Sequence, residues 1–404
     1  MMNSKFLFLH VAIFIAILSF TPTSAHNKSR KSIAPSAPTS SQADYKGSFS
    51  AQVNFKGSFS KVYAFGDSYT DTGNAYHLGA LKTFVKGIIT HNSTNNLPGY
   101  RLSNGRLVID YLCDALALPP LTPFKDLSTN SSAGVNFAIA GSTALSSDFF
   151  INHKIAHSLM WKAIPESFQT QIDWFHKFIQ DTECKGKTLS ECKIDFDNSL
   201  FWIGEMGGND YARLYGSTVA VRFLTELAVN HVCKLVTTML ETGAKYIVVQ
   251  GLPPAGCLPL NLALHPLHDR DAMGCSASAN AIIQAHNELL QKKLDEIRRQ
   301  FSGCMIVYAD YWGAFHKILS NLKQFHFEEP FKACCGAGQG PFNFDLHRLC
   351  GATGSSTCAD PSKFISWDGI HLTEAMHRHL AELLFNQGYC KPSFHDLIKM
   401  KTGT

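Results

Sequence analysis

The chain has 404 residues, 45% apolar and 17% charged, an ordinary globular mixture that excludes a disordered, collagenous or coiled-coil protein. Its 36 basic and 32 acidic residues leave a formal charge of +4 with no block of like charges, so neither a nucleic acid nor a polybasic membrane contact is expected.

Met1 to Lys5 carries one positive charge, Phe6 to Phe20 is an apolar run, and Thr23 and Ala25 stand at the −3 and −1 positions of a cleavage site. These three parts read as a secretory signal over residues 1–25. The apolar run is shorter than the roughly 20 residues that span a bilayer, so no integral membrane segment is expected after its removal. A secreted protein is the expectation, and a vacuolar destination fits equally. Residues 26–60 are rich in Ser, Ala, Pro and Lys and repeat Lys-Gly-Ser-Phe-Ser at 46–50 and 56–60. They read as a flexible leader.

From residue 61 short β-rich runs alternate with helical stretches. Val62–Phe65, Val135–Ile139, Leu200–Gly204, Tyr246–Gln250 and Met305–Ala309 read as buried strands. Thr218–Leu240, Ser276–Phe301 and Thr373–Phe385 read as helices; Ile282, Leu289, Leu290, Leu294, Ile297 and Phe301 form one stripe on the second. Strands alternating with helices imply an α/β three-layer sandwich, a parallel sheet covered on both faces. One domain is expected over 61–395, followed by a C-terminal tail, 396–404.

All twelve cysteines follow the signal, and in an exported chain bridges are the expected use. Cys184 with Cys192, and Cys257 with Cys275, would close short loops; Cys334, Cys335, Cys350 and Cys358 suit a staple across 330–360. Cys113, Cys233 and Cys304 lie in apolar surroundings, as buried thiols would. Asn27, Asn92 and Asn130 each open an Asn-x-Ser/Thr sequon, expected to be glycosylated.

Chemistry is concentrated at strand ends. Gly66-Asp67-Ser68 directly follows the first strand, where open α/β sheets bind ligands, so a tight turn would aim the Ser68 hydroxyl into that crevice. A hydroxyl needs a base, and the base an orienting group. Asp368 and His371 are three apart, which in a helical or turn-like segment sets them on one side about 5–6 Å apart at Cβ. Acyl chemistry also needs donors for an oxyanion. Asn209 follows the third strand, and Gly141 follows the second, where a glycine lets a backbone N–H approach a substrate. Each motif alone also reads as an ordinary turn or helix cap; the argument lies in their convergence on one sheet edge. Histidines 265, 268, 377 and 379 lack metal-ligand spacing, and Gly336, Gly338 and Gly340 open no helix, so no metal and no phosphate loop are expected.

Taken together, Phe65–Asn74, Asn136–Gly141, Gly207–Asp210, Gln250–Pro254 and Trp367–His371 resemble the GDSL esterase/lipase family of the SGNH hydrolase superfamily, in its plant secreted branch. The resemblance implies a five-stranded parallel sheet in flavodoxin-like order. It also implies a Ser68–His371–Asp368 triad and an oxyanion hole made by the N–H groups of Ser68 and Gly141 with the Asn209 side chain. The sequence departs from the family at Tyr69, usually Leu, and at Ser142, where an effect on the acyl pocket is expected. A serine esterase/lipase of small-molecule esters, needing no cofactor, is the leading expectation. An acyltransferase using the same acyl-enzyme and a non-catalytic binding protein are the alternatives, and the oligomeric state is left open.

Overall fold

The computed structural model describes residues 55–78, 100–126, 131–155, 166–188, 191–192, 194–215 and 217–403. The signal over 1–25 and the sequons at Asn27, Asn92 and Asn130 lie outside the described residues.

The central sheet is built from apolar, β-branched and aromatic pentapeptides that are buried almost throughout. Its strands in chain order are β1 (Lys61–Phe65), β2 (Thr122–Pro123), β3 (Gly134–Asn136), β4 (Ser199–Ile203), β5 (Tyr246–Gln250), β6 (Met305–Ala309) and, after four short strands of two small sheets, a last one at Cys390–Lys391. The spatial order is Cys390–Lys391, β6, β5, β4, β1, β3, β2, with every pair parallel except the first. All five strands expected from the sequence are present, and their order is flavodoxin-like. The sheet has seven strands rather than five, because a two-residue strand is added at each edge. A pair of residues is too short to carry any periodicity.

Side-chain alternation gives the sheet two apolar faces. Val62, Ala64, Leu200, Trp202, Val248 and Val307 pack against the helices Val108–Leu116, Tyr311–Leu319 and Glu374–Asn386. Tyr63, Phe65, Phe201, Ile203, Ile247 and Val249 pack against the helices Phe168–Thr182, Val221–Glu241 and Ala277–Gln300. The result is the three-layer arrangement. The Phe168–Thr182 helix thus spends its aromatic residues on the core: Phe168, Phe175 and Phe178 are all buried.

Both expected domain boundaries fall inside the packed fold. Phe55 and Phe59, counted with the flexible leader, are buried against the first face. Residues 396–402, taken as tail, belong to the helix Phe394–Thr402, which Ser393 and Asp396 cap reciprocally and Leu397 anchors in the core. Two aromatic residues among serines, and one helix of nine residues, give too little pattern to register in the sequence. Four disulfides form, Cys184–Cys192, Cys257–Cys275, Cys334–Cys358 and Cys335–Cys350. Cys113, Cys233 and Cys304 are free, as is Cys390. The two bridges in 330–360 staple small strands, β7 (Glu329–Ala333), β8 (Cys335–Gly336), β9 (Ser356–Thr357) and β10 (Phe364–Ser366), in a stretch the sequence presents as loop. The last strand of the central sheet, Cys390–Lys391, is β11. Among the described residues no helix is long and apolar enough to cross a membrane.

Candidate active site

The turn after β1 is held by the side chain of Asp67. Its Oδ1 accepts from the Tyr69 N–H at 3.0 Å, while its carbonyl accepts from Thr70 and Asp71 at 3.1 and 2.9 Å. Just before it, Gln171 clamps Gly66 on both sides: Gly66 N–H donates to Oε1 at 2.9 Å and Nε2 donates to the Gly66 carbonyl at 2.8 Å. Gly204 follows β4 at this point, and a Cβ there would run into the Thr70 hydroxyl, so only glycine lets the two strand ends come together. Ser68 is thereby set on the wall of a cavity of about 330 Å³.

The same turn carries the oxyanion segment. Asp71 accepts four backbone N–H groups: Gly73 and Asn74 on Oδ1, both at 2.7 Å, and Ala75 and Ala140 on Oδ2, at 3.0 and 2.9 Å. Asn74 Nδ2 donates to the carbonyls of Asn136 and Ala138, and Asn136 Nδ2 returns to the Thr70 carbonyl at 2.6 Å. The segment through Gly141 is therefore laced to the Ser68 turn by short polar side chains. Gly141 itself has φ +80° with open space where a Cβ would stand, so backbone conformation rather than crowding demands glycine there. Among the described residues the N–H groups of Ser68 and Gly141 have no hydrogen-bond partner. Ser142 is fully buried, donates to the Glu166 carbonyl at 3.0 Å and accepts from Gln171 Nε2 at 2.9 Å. It braces the loop and does not line the cavity, contrary to the expected effect on the pocket.

Asn209 is the second residue of the short helix Gly208–Ala212 beyond β4 and, like Ser68, lines the cavity. Its Nδ2 donates to Asp67 Oδ2 at 2.8 Å and to the Ser142 carbonyl at 3.0 Å. The next residue, Asp210, accepts the N–H groups of Ala144 and Leu145 at 2.8 and 3.0 Å, which fixes this turn against the Gly141 loop.

Asp368 and His371 follow β10. Asp368 Oδ2 lies 2.7 Å from His371 Nδ1, and Oδ1 accepts the N–H groups of His371 and Ile370 at 2.7 and 2.9 Å. Burial of Asp368 opposes its ionisation, but the charge and hydrogen bonds of His371 and the Ile370 N–H outweigh it and hold the carboxyl below its usual range. The pair is a carboxylate orienting an imidazole. Tyr69 ties it to the nucleophile turn: its hydroxyl donates to the Ile370 carbonyl at 2.8 Å and its ring centroid is 6.0 Å from that of His371. Ile370 lines the same cavity as Ser68. The side chains of Ser68 and His371 are not hydrogen-bonded to each other here, and such bonds commonly tighten only with substrate in place. Trp367 is wholly buried behind the pair.

Three side chains in this frame carry no sequence motif. Gln171 lies 105 positions from the glycine it clamps. Glu205 is buried beside Asp67, and burial pushes both carboxyls up. His286, fully buried on the Ala277–Gln300 helix, bonds Tyr211 Oη through Nδ1 at 2.9 Å and packs under Gly207. Only the position of Glu205 in the apolar run leading to Gly207-Gly208-Asn209 marks it in the sequence.

A family model described as GDSL-like lipase/acylhydrolase matches residues 62–384. A GDSL esterase/lipase of Arabidopsis thaliana is 38% identical over 353 residues, 84% of this chain and 89% of the relative. Acetylajmalan esterase 2 of Rauvolfia serpentina is 37% identical over 331 residues, 80% and 88% of the two chains. A second Arabidopsis thaliana GDSL esterase/lipase is 34% identical over 351 residues, 83% and 92%. With the mostly parallel sheet in SGNH order, these matches establish that the chain belongs to the GDSL-like lipase/acylhydrolase family and is an esterase/lipase.

Proposed function

We propose that the protein is an exported serine esterase in which Ser68 is the nucleophile, His371 the base and Asp368 the residue that orients it. The observation that carries this reading is the Asp368–His371 pair at 2.7 Å, tied through Tyr69 to the turn that sets Ser68 on the cavity wall. His371 takes the hydroxyl proton as Ser68 Oγ attacks the ester carbonyl carbon. The oxyanion is met by the N–H groups of Ser68 and Gly141 and by the Asn209 amide, one of whose two hydrogens leaves the Ser142 carbonyl for it while the other stays on Asp67. His371 then protonates the departing alkoxide, water attacks the acyl-enzyme with the same base, and the acid leaves. No step calls on a cofactor.

Leu214, Leu258, Leu260, Ile282 and Ile283 give the cavity much of its lining. At about 330 Å³ it is at the small end of ligand pockets, which favours small-molecule esters with an apolar acyl or alcohol part. Four disulfides support export, as do the sequons at Asn27, Asn92 and Asn130 read with the signal over 1–25. A hydrolysis panel from acetyl to long-chain esters, run beside Ser68→Ala, tests the reading. Wild type is expected to prefer acyl groups the cavity can enclose, and Ser68→Ala to be inactive on all. An active Ser68→Ala enzyme, or no mass adduct at Ser68 after organophosphonate treatment, overturns it.

A further inference from the structure

Two carboxyl groups lie side by side beneath the oxyanion turn. Asp67 and Glu205 are 2% and 3% exposed, and both reach the cavity wall beside Ser68. Asp67 Oδ2 accepts from Asn209 Nδ2 at 2.8 Å. The Glu205 carboxyl sits under Gly208, about 3.4 Å from where a Cβ would stand, immediately before Asn209. Glu205 Oε2 receives no hydrogen bond from any N–H or hydroxyl among the described residues. The group that acts on it most strongly is the Asp67 carboxyl, ahead of Asp210, and two carboxyls can bond only if one of them keeps a proton.

We propose that Glu205 is a positioning residue for the esterase reaction: as a neutral acid it donates to Asp67, and the Asp67 carboxylate, held in place, anchors one hydrogen of the Asn209 amide so that the other, donated at rest to the Ser142 carbonyl, turns to the oxyanion. This rests on the oxyanion role of Asn209 put forward above. Asp67 faces Glu205, His371 and Asp71; Glu205 faces Asp67 and Asp210, with the phenols of Tyr69 and Tyr311 nearby. Apart from His371, which acts on Asp67, these titratable neighbours are acids, so a proton on Glu205 relieves the repulsion between the two carboxyls. Loss of that proton places two like charges against each other, and Asp67 loses the partner that sets its orientation.

The test compares kcat and KM for p-nitrophenyl ester hydrolysis by wild type, Glu205→Met, Glu205→Gln and Ser68→Ala, with thermal midpoints as the fold control. Glu205→Met keeps the volume but cannot donate; its kcat is expected to fall about tenfold or more, part of the effect of losing an oxyanion donor outright, with KM little changed. Glu205→Gln can donate an N–H to Asp67 and is expected to recover most of that loss. Equal kcat in Glu205→Met and wild type, or a Gln variant no better than Met, overturns the proposal. Should Glu205→Met not fold, the pH profile of Glu205→Gln decides. Burial holds the Glu205 proton to higher pH than usual, and activity is lost as pH rises and removes it. The wild type therefore declines on the alkaline side and the amide variant does not, whereas superimposed profiles overturn the proposal. An inactive Ser68→Ala enzyme keeps the serine reading standing whatever Glu205 does; an active one brings down both.

Discussion

In the proposed triad one contact of 2.7 Å, Asp368 Oδ2 to His371 Nδ1, lets one side chain set the state of another. Asp368 is buried and below its usual range, so it stays ionised across the pH range of any activity, and its Oδ2 fixes Nδ1 of His371 as the protonated nitrogen. Asp368→Asn should lower kcat by on the order of 10²–10⁴ while leaving KM within a few-fold, read by steady-state hydrolysis. A loss under threefold would mean that the surrounding loop orients the ring unaided. Asn209→Ala should cost about 10²–10³ in kcat, and it separates from Asp368→Asn because it leaves the base intact. Ser68, Gly141, Asn209, Asp368 and His371, the residues of the proposed site, stand out in the sequence because each sits in a short polar or glycine-rich block just past an apolar run. Gln171 and Glu205 were not. Gln171 acts on Gly66 from 105 residues away, and the Asp67 that Glu205 meets binds an amide 142 residues away. Nothing local in the chain announces partners at such separations.

Among the elements, five strands declared themselves through buried apolar runs, β3 as three residues and the other four as five, whereas the edge strands β2 and β11 did not, being two residues each. The 330–360 stretch is instructive, since its order comes from cross-links and not from pattern. β7 and β10 pair in parallel, Cys334 N–H donates to the Ser366 carbonyl at 3.1 Å and Cys335 N–H to the Trp367 carbonyl at 2.6 Å. The bridges Cys334–Cys358 and Cys335–Cys350 thus fasten the backbone immediately before Asp368. Closing a loop of 15 residues constrains the unfolded chain by roughly 3 kcal/mol. Replacing Cys335 and Cys350 together by Ser should lower the urea-derived unfolding free energy by about that amount, and the midpoint with it. It should also weaken activity before global unfolding, because the support of the Asp368 loop goes first. A variant with an unshifted midpoint would place this staple outside the cooperative fold.

Over the whole molecule, packing two apolar layers onto one sheet has left several titratable groups in the interior, and their combined effect sets how stability varies with pH. His286 and His377 are 1% exposed, and burial pushes both down to about 3. An unfolded histidine titrates near 6.5, so between that value and about 3 the unfolded chain takes up protons that the folded one refuses. Their contribution is fully present above about 6.5 and is lost as pH falls. Asp210 runs the other way. Burial raises it to about 7 in spite of the Ala144 and Leu145 N–H groups, so its contribution is full below the ordinary carboxylate range and is lost as pH climbs toward 7. Asp67 and Glu205, also raised by burial, act in the same sense. Across pH 4 to 6.5 the two sets oppose each other, and the wild-type curve should be flatter than either set alone would make it. His377→Asn removes one histidine and leaves the acids. Relative to wild type, its urea-derived stability should therefore fall less steeply on acidification, by up to about 1.4 kcal/mol per pH unit below 6.5. Because the readout is the slope, a uniform loss of stability from the missing Tyr311 contact does not imitate it. Parallel slopes for the two proteins would show that His377 is protonated inside the fold.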